Sequence, residues 1–510
     1  MDCNSLSNIC SMETRKGFAR RTFICRIRRL SSASPTTCRS IYSLSIFFNA
    51  SFFLKYSSHD NCFKTNTISK GFVNPFSKRR ASLKEIEMKD LIVRNCNLGN
   101  DNQTCIYIKK GVIQDIDPKI PEIGCPEINA NNNFVSSPFI DSHFHMDATL
   151  SYGLPRVNES GTLLEGIKLW GELKPSLTKD AIKQRALDLC KWSIARGTLF
   201  IRSHVDVSGD SLLAVEALLE IKEEMKDYID LQLVAFPQDG VLRSNCLENL
   251  KKSLDMGVDV VGGIPHFERT MADGAESIKI LCELAEKRGL LVDMHCDESD
   301  DPLSRHIETL TYHTNRLGMH GRVAGSHLTS MHSMDNYYFS KLIGLMVEAE
   351  MNIVPNPLIN ITIQGKHDTY PKRRGMTRVP EQIKAGLNVA FGHDCVLDPW
   401  YPLGSHDMLE VAHMALHVAH LTGQNEMKSC FDSVTSTSAQ VLHIDKYGLK
   451  KGCNGDLVIL QCNNKIEALR LKPTRLFVIK KGNIISSAEP TEYQLKINEK
   501  LEITDLIFRN

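Results

Sequence analysis

The sequence predicts an α/β protein, a (β/α)8 barrel carrying a small composite β-sandwich built from both chain ends, and three observations lead there. From Phe134 onward one pattern repeats: a short apolar, β-branched run, one or two polar residues, then an amphipathic helical stretch. Runs of this kind end at His143/His145, His204/Asp206, Gln238, His266, His295/Glu298, His327, Asn356 and Asp394, which makes eight. Parallel neighbours need a crossover helix each time, so eight strand–helix alternations close into a TIM barrel. Second, the polar residues collect at the run ends, the face on which such a barrel carries its chemistry. Third, no Gly-rich phosphate loop follows the first run, which counts against a doubly wound open sheet.

Taken in order, residues 1–87 differ from everything after them. Between Glu13 and Asp60 no acidic residue occurs, while Arg15, Arg20, Arg21, Arg26, Arg28, Arg29 and Arg39 stand among serines and aromatics. Such a composition resembles an organellar transit peptide; the alternative is an extension upstream of a start near Met88. Either way a disordered or targeting segment without chemistry is expected. Residues 88–135 form the first part of the β-sandwich, 136–444 the barrel and 445–510 the second part. The two flanks look alike: IYIKKGVIQDI (Ile106 to Ile116) and FVIKKGNII (Phe477 to Ile485) each read strand, Lys-Lys-Gly turn, strand, and Asp456 to Leu460 adds another strand. Within the barrel, Leu212 to Met225 shows the helical type, with Leu212, Val215, Leu218 and Leu219 on an apolar stripe and Glu216, Glu220, Glu223 and Glu224 on a charged one.

Composition narrows the class. The chain has 510 residues, 42% hydrophobic and 24% charged, enough for a sizeable soluble core. Lys+Arg (61) and Asp+Glu (60) nearly cancel, so no global field draws the chain to nucleic acid or anionic membrane, and a small, weakly charged substrate suits that balance better than a polyanion. The 16 cysteines form no CxxC pair, which argues against a disulfide framework and against a thiolate metal site, and points to a reduced, cytoplasmic setting. Organellar import applies only if the basic leader is a real transit peptide. No apolar run approaches the roughly 20 residues needed to cross a bilayer.

The chemistry starts with His143 and His145, which share one face of a strand because i and i+2 point the same way. On its own HxH recurs by accident. Here His295 ends the fifth strand and Asp394 the eighth, so three imidazoles and a carboxylate can converge on one cation, with His327 from the sixth strand nearby. Nitrogen and oxygen donors without thiolate suit zinc, ferrous iron or manganese. No lysine ends the fourth strand, where Ile264, Pro265 and His266 stand, so one metal is expected rather than a lysine-bridged pair. His204, His266, His306, His313 and His320 are expected to be satisfied core or surface residues.

Eight segments, PFIDSHFHMDAT, SGTLLEGI, VAFPQDG, IPHFERT, VDMHCDESDD, SHLTSMHS, NPLINITIQGKHDTYPKRRGMTRV and FGHDCVLDPWYPLG, resemble bacterial cytosine deaminases of the amidohydrolase superfamily in the same order, from about Met88 to the C-terminus. The resemblance implies a homo-oligomer with one divalent metal ion (Fe2+ or Zn2+) that converts cytosine to uracil and ammonia. It implies His143, His145, His295 and Asp394 as metal ligands and Glu298 as the proton-transferring carboxylate. It also implies His327 beside the attacking water, Gln238 on the substrate edge, and Leu163 and Trp400 in the pocket wall. At Cys395 the chain departs: the bacterial pattern has a second acidic residue there, bordering the substrate. That keeps isoguanine, creatinine or an N-substituted triazine open as the substrate ring, and a non-catalytic barrel is the alternative of a different class.

Overall fold

The computed structural model describes residues 88–99, 103–243 and 245–508, so the basic leader lies outside the described residues. Strands β1 (Leu91–Asn97), β2 (Gln103–Lys109), β3 (Val112–Ile116), β4 (Glu127–Asn129) and β5 (Phe134–Ser136) come first. Eight more follow: β6 (Phe139–Phe144), β7 (Thr198–Asp206), β8 (Asp230–Phe236), β9 (Val260–Gly263), β10 (Leu291–Cys296), β11 (Val323–His327), β12 (Asn352–Val354) and β13 (Asn388–Val389). These eight run parallel in sequential order. A parallel bridge between Phe144 and Asp394 brings the last strand back to the first. Asp394 N donates to His143 O at 2.8 Å and His145 N to Asp394 O at 3.0 Å, so the closure falls on the predicted ligands themselves.

Helices α1 (Leu163–Leu173), α2 (Lys179–Ala195) and α3 (Leu213–Met225) set the pattern of the outer ring. The first two begin at a side-chain cap: Thr162 accepts from Glu165 N at the start of α1, and Thr178 from Ala181 N at the start of α2. On α3 Val215, Leu218, Ile221 and Met225 turn inward, whereas Glu216, Glu220, Glu223 and Glu224 are exposed. Leu212 is the residue capping that helix rather than part of its stripe. Lys183 of α2 reaches Glu220 at 2.7 Å, an exposed pair that contributes little to stability.

The second layer joins β14 (Leu457–Leu460), β15 (Arg475–Lys480) and β16 (Asn483–Ser487) to the N-terminal strands in the order β16-β15-β14-β5-β1-β2-β3. This sheet curls until Ile113 N donates to Cys453 O at 2.8 Å, enclosing a core of its own around Leu91, Val93, Ile106, Ile108 and Ile459. Both Lys-Lys-Gly turns are hairpin turns, β2 with β3 and β15 with β16. A last hairpin, β17 (Tyr493–Ile497) with β18 (Lys500–Thr504), pairs only with itself. Among the described residues no helix is long and apolar enough to cross a membrane.

Candidate active site and metal centre

The strand pitch explains why the site assembles where it does. His143 and His145, two residues apart at the end of β6, both enter the barrel mouth, where His295 from β10 meets them. The separations are His143 Nε2 to His295 Nε2 3.2 Å, His145 Nε2 to His295 Nε2 2.9 Å, and 3.5 and 3.3 Å from Asp394 Oδ1 to the Nε2 of His143 and His145. A tetrahedron with metal–nitrogen bonds of 2.0–2.1 Å has edges of about 3.3 Å, so these donors already stand at ligand spacing. His327 comes next: donors of His143, His295, His327 and Asp394 lie within 4.8 Å of one another. His145, Gln238, His266, Glu298 and Asn356 sit just past their strands rather than on the last strand residue, and Asp394 lies further out, beyond β13.

Electrostatics fit a cation at this point. Burial, and then the neighbouring histidines, hold His143 and His295 far below the ordinary imidazole value, and burial brings His145 down to about 4. Neutral imidazoles are the form that ligates metal. Burial and the nearby Glu298 push the Asp394 carboxyl well up, and burial pushes Glu298 up to about 8. Asp394, crowded in a dry mouth beside unprotonated rings, is the carboxyl that a divalent ion bound to it would stabilise in its charged form. The Nδ1 atoms of His143 and His295 are buried without partners, which leaves both rings able to commit Nε2 to a metal.

Glu298 follows directly on Asp297, whose buried carboxylate accepts from Ser304 Oγ (2.7 Å), His306 Nδ1 (2.9 Å), His306 N (3.0 Å) and Ile307 N (2.8 Å). That knot fixes the loop after β10 and so aims Glu298 into the mouth. Glu298 Oε1 then lies 3.2 Å from His327 Nδ1. Asn360 Nδ2 lies 2.9 Å from the same ring nitrogen and Asn356 Nδ2 3.3 Å from both ring nitrogens, so two amides seat the His327 ring. Nε2 points towards Asp394, 3.9 Å away. His327 (φ 66°) and Asp394 (φ 71°) both hold left-handed backbone, a strain kept where geometry serves function. Gly392 allows the approach, since a Cβ there would stand 2.4 Å from Asn356 Oδ1 and 2.5 Å from His143 Cβ.

The pocket above the donors is walled by Leu163, Ile167, Ile264, Ile359 and Trp400, with Gln238, Glu298 and Cys395 facing it. Helix α1 supplies Leu163 and Ile167, four residues apart on one face. Its Gly166 lies so close to Trp400 that a Cβ would be 2.4 Å from the ring's Cδ1, so helix and ring seat each other. Cys395 is 4% exposed, and burial raises its thiol well above the usual value, keeping it neutral. Beside it, burial lifts the Asp398 carboxyl to about 6 while Oδ1 accepts from Trp400 N and Tyr401 N at 2.9 Å each.

Every residue singled out from the sequence thus meets in one place. Two of the histidines expected to be satisfied core or surface residues do not fit that expectation: His266 lines the pocket, and His204 lies fully buried with neither ring nitrogen partnered. Asp297, Asn356 and Asn360 were not singled out for a site role from the sequence. Their signals were present, an acid beside Glu298 and an i, i+4 Asn pair in NPLIN, but nothing local tells such residues from ordinary capping groups.

Comparison with known proteins agrees with this geometry. A model of the amidohydrolase family matches residues 126–486. The chain belongs to the amidohydrolase family. It is 32% identical over 413 residues to N-isopropylammelide isopropyl amidohydrolase of Pseudomonas sp. strain ADP, covering 78% of this chain and 98% of that protein. It is 26% identical to the pterin deaminase of Rhizobium rhizogenes, over 76% of this chain and 89% of that one. Among solved structures, 5-methylcytosine deaminase from Klebsiella pneumoniae superposes with a TM-score of 0.76 at 40% identity, covering 78% of this chain and 98% of that chain. As an amidohydrolase, this protein is an enzyme that hydrolyses C–N bonds.

Proposed function

We propose that this amidohydrolase deaminates cytosine, or cytosine carrying a small 5-substituent, to the corresponding uracil and ammonia. The observation that carries the reading is the meeting of Glu298, His327 and Asp394 over a set of neutral imidazoles, beneath a pocket with one carboxamide on its rim. The Klebsiella deaminase, 40% identical, acts on a ring of this kind.

His143, His145, His295 and Asp394 would hold one divalent ion, Fe2+ or Zn2+. When bound, such an ion supplies a hydroxide at neutral pH by lowering the pKa of water from 15.7 to about 7. The chain's own groups do the rest. Asp394 takes the proton of the attacking water. Glu298, kept protonated by burial, gives its proton to the ring nitrogen beside the carbon under attack, so that negative charge does not collect there. His327, whose Nε2 faces Asp394, stands beside the attacking water and steadies the oxygen that develops charge. Gln238, whose carboxamide donates and accepts, matches the mixed edge of a pyrimidine. Asp394 then passes the water's proton to the amino nitrogen, the C–N bond breaks to release ammonia, and the remaining hydroxyl proton goes to Glu298, which restores both carboxyl groups to their starting state.

Cys395 supports a 5-substituted ring. A neutral thiol is smaller and less polar than the carboxylate that bacterial cytosine deaminases carry there, so it admits a methyl group where a charge would exclude one. Amine release from metal-analysed protein, ammonia from cytosine, 5-methylcytosine, isoguanine and pterin and isopropylamine from N-isopropylammelide, tests the reading. The highest kcat/KM is expected on the two cytosines; preference for a bicyclic ring or a triazine would overturn it. Stripping the metal with a chelator should abolish turnover, and adding back Fe2+ or Zn2+ should restore it.

A further inference from the structure

Below the metal donors lies a group of side chains that the proposed reaction does not use. His204 stands two residues past Arg202 on β7, and His295 two past Asp293 on β10, so the period of two puts Arg202 and Asp293 in one inward layer and the two histidines in the layer above. The lower layer is tied together. Arg202 Nη1 donates to Asp293 Oδ2 at 2.9 Å, and Ser326 Oγ to Asp293 Oδ1 at 2.6 Å. In the upper layer the His204 ring packs on His143, with centroids 4.1 Å apart, and on His145 and His295 at 5.4 and 4.6 Å.

His204 is fully buried, and among the described residues neither of its ring nitrogens has a partner. His143 Nδ1, equally buried, has none either. His204 Nε2 is 3.8 Å from Asp293 Oδ1, too far for a direct hydrogen bond. Donor atoms of His143, His204 and Asp293 nevertheless all lie within 4.8 Å of one another, the spacing of polar groups that share one water. A phenylalanine would fill the same space among these rings without burying two polar atoms, so an imidazole here needs a polar purpose.

We propose that His204 and Asp293 are positioning residues that receive the Nδ1–H of His143 through one buried water, fixing the tautomer and ring plane with which His143 offers Nε2 to the metal. A ligating imidazole generally donates its other N–H to a carboxylate, a carbonyl or a water, and loss of that partner weakens metal binding by 10–100-fold. Arg202 and Ser326 hold the two Asp293 oxygens in place, so the support ends on a fixed acceptor rather than a mobile one. This inference rests on the metal reading given above.

The test is competition for the metal. Zn2+ affinity is measured against a chromophoric chelator for the wild-type protein, His204→Phe and His204→Gln, beside apo-protein unfolding midpoints. His204→Phe should keep the apo midpoint and lose about 10–100-fold in affinity. His204→Gln, which can still accept and donate, should recover most of that loss. Unchanged affinity in His204→Phe overturns the proposal while leaving the metal reading intact; a wild-type protein that binds no metal overturns both. Should His204→Phe fail to fold, a high-resolution crystal structure of the Zn2+-loaded wild-type protein decides. An oxygen bridging His143 Nδ1 to His204 or Asp293 supports the proposal, and any other partner for that nitrogen overturns it.

Discussion

Two clusters of buried histidine in this barrel make opposite use of the same side chain. At the mouth, His143, His145 and His295 converge through their Nε2 atoms, and His143 and His295 leave Nδ1 without a partner. Deeper in, His406 is saturated: Nε2 lies 2.9 Å from Asp141 Oδ2 and Nδ1 2.8 Å from Ser193 Oγ. On paper Ser193, His406 and Asp141 form a nucleophile–base–acid chain, yet all three are completely buried, and Asp141 Oδ1 also accepts from the backbone N of His143 and His393. No substrate reaches that serine. The difference teaches that unsatisfied nitrogens at strand ends mark chemistry in this fold, whereas a completed hydrogen-bond chain in the interior marks a clasp.

The contrast can be broken at either end. Glu298→Gln should lower kcat by about 10²–10⁴-fold while elemental analysis shows unchanged metal content, because only the proton donor is lost. Retained turnover would remove Glu298 from the mechanism. On the clasp side, His406→Leu should destabilise the protein by about 3 kcal/mol in urea titrations, since Asp141 Oδ2 is left buried and unpaired, with kcat of the folded fraction little changed. A large loss of kcat at full stability would mean that the two clusters are not separate.

Smaller changes sharpen the boundary between pocket wall and core. Gly166→Ala drives a methyl into Trp400, so the ring must move. We expect KM to rise on the order of tenfold with a smaller change in kcat, in line with the about 1–3 kcal/mol that overpacking costs. The smallest effect is expected at Glu165, in the first turn of α1, where its carboxylate holds the strap that leads into the helix. Hydrogen bonds from Ser160 Oγ and N, and then Arg156, hold its carboxyl down at about 2. A depressed carboxyl contributes stability that is present above the ordinary value of 4.5 and lost as pH falls towards about 2. Paired unfolding titrations of the wild-type protein and Glu165→Gln should therefore differ at neutral pH and converge on acidification through that window; a gap independent of pH would show that the strap is held by something else.

Much of this was legible before any coordinates. The eight-fold alternation, the shared face of His143 and His145, and the Lys-Lys-Gly hairpins at Ile106 to Ile116 and Phe477 to Ile485 all follow from local periodicity. His204 and His266 are less legible for a reason equally physical. A lone histidine at a strand end reads the same whether its nitrogens find partners or not, and partners here come from strands far apart in the chain. The Asp297 knot behind Glu298 was illegible likewise, because its donors arrive from the start of the following helix.

The sequence by itself determined which residues face inward, because the pitch of a strand and of a helix is set within a few residues. Tertiary structure alone decided which inward residues meet: Asp394 against His143, Asn360 against His327, Gly166 against Trp400, and His204 against a ring with a spare nitrogen. Those meetings depend on strand register and on closure between β6 and the segment after β13, more than two hundred residues on. No local pattern encodes such distances, since they arise only when the whole sheet has curled shut.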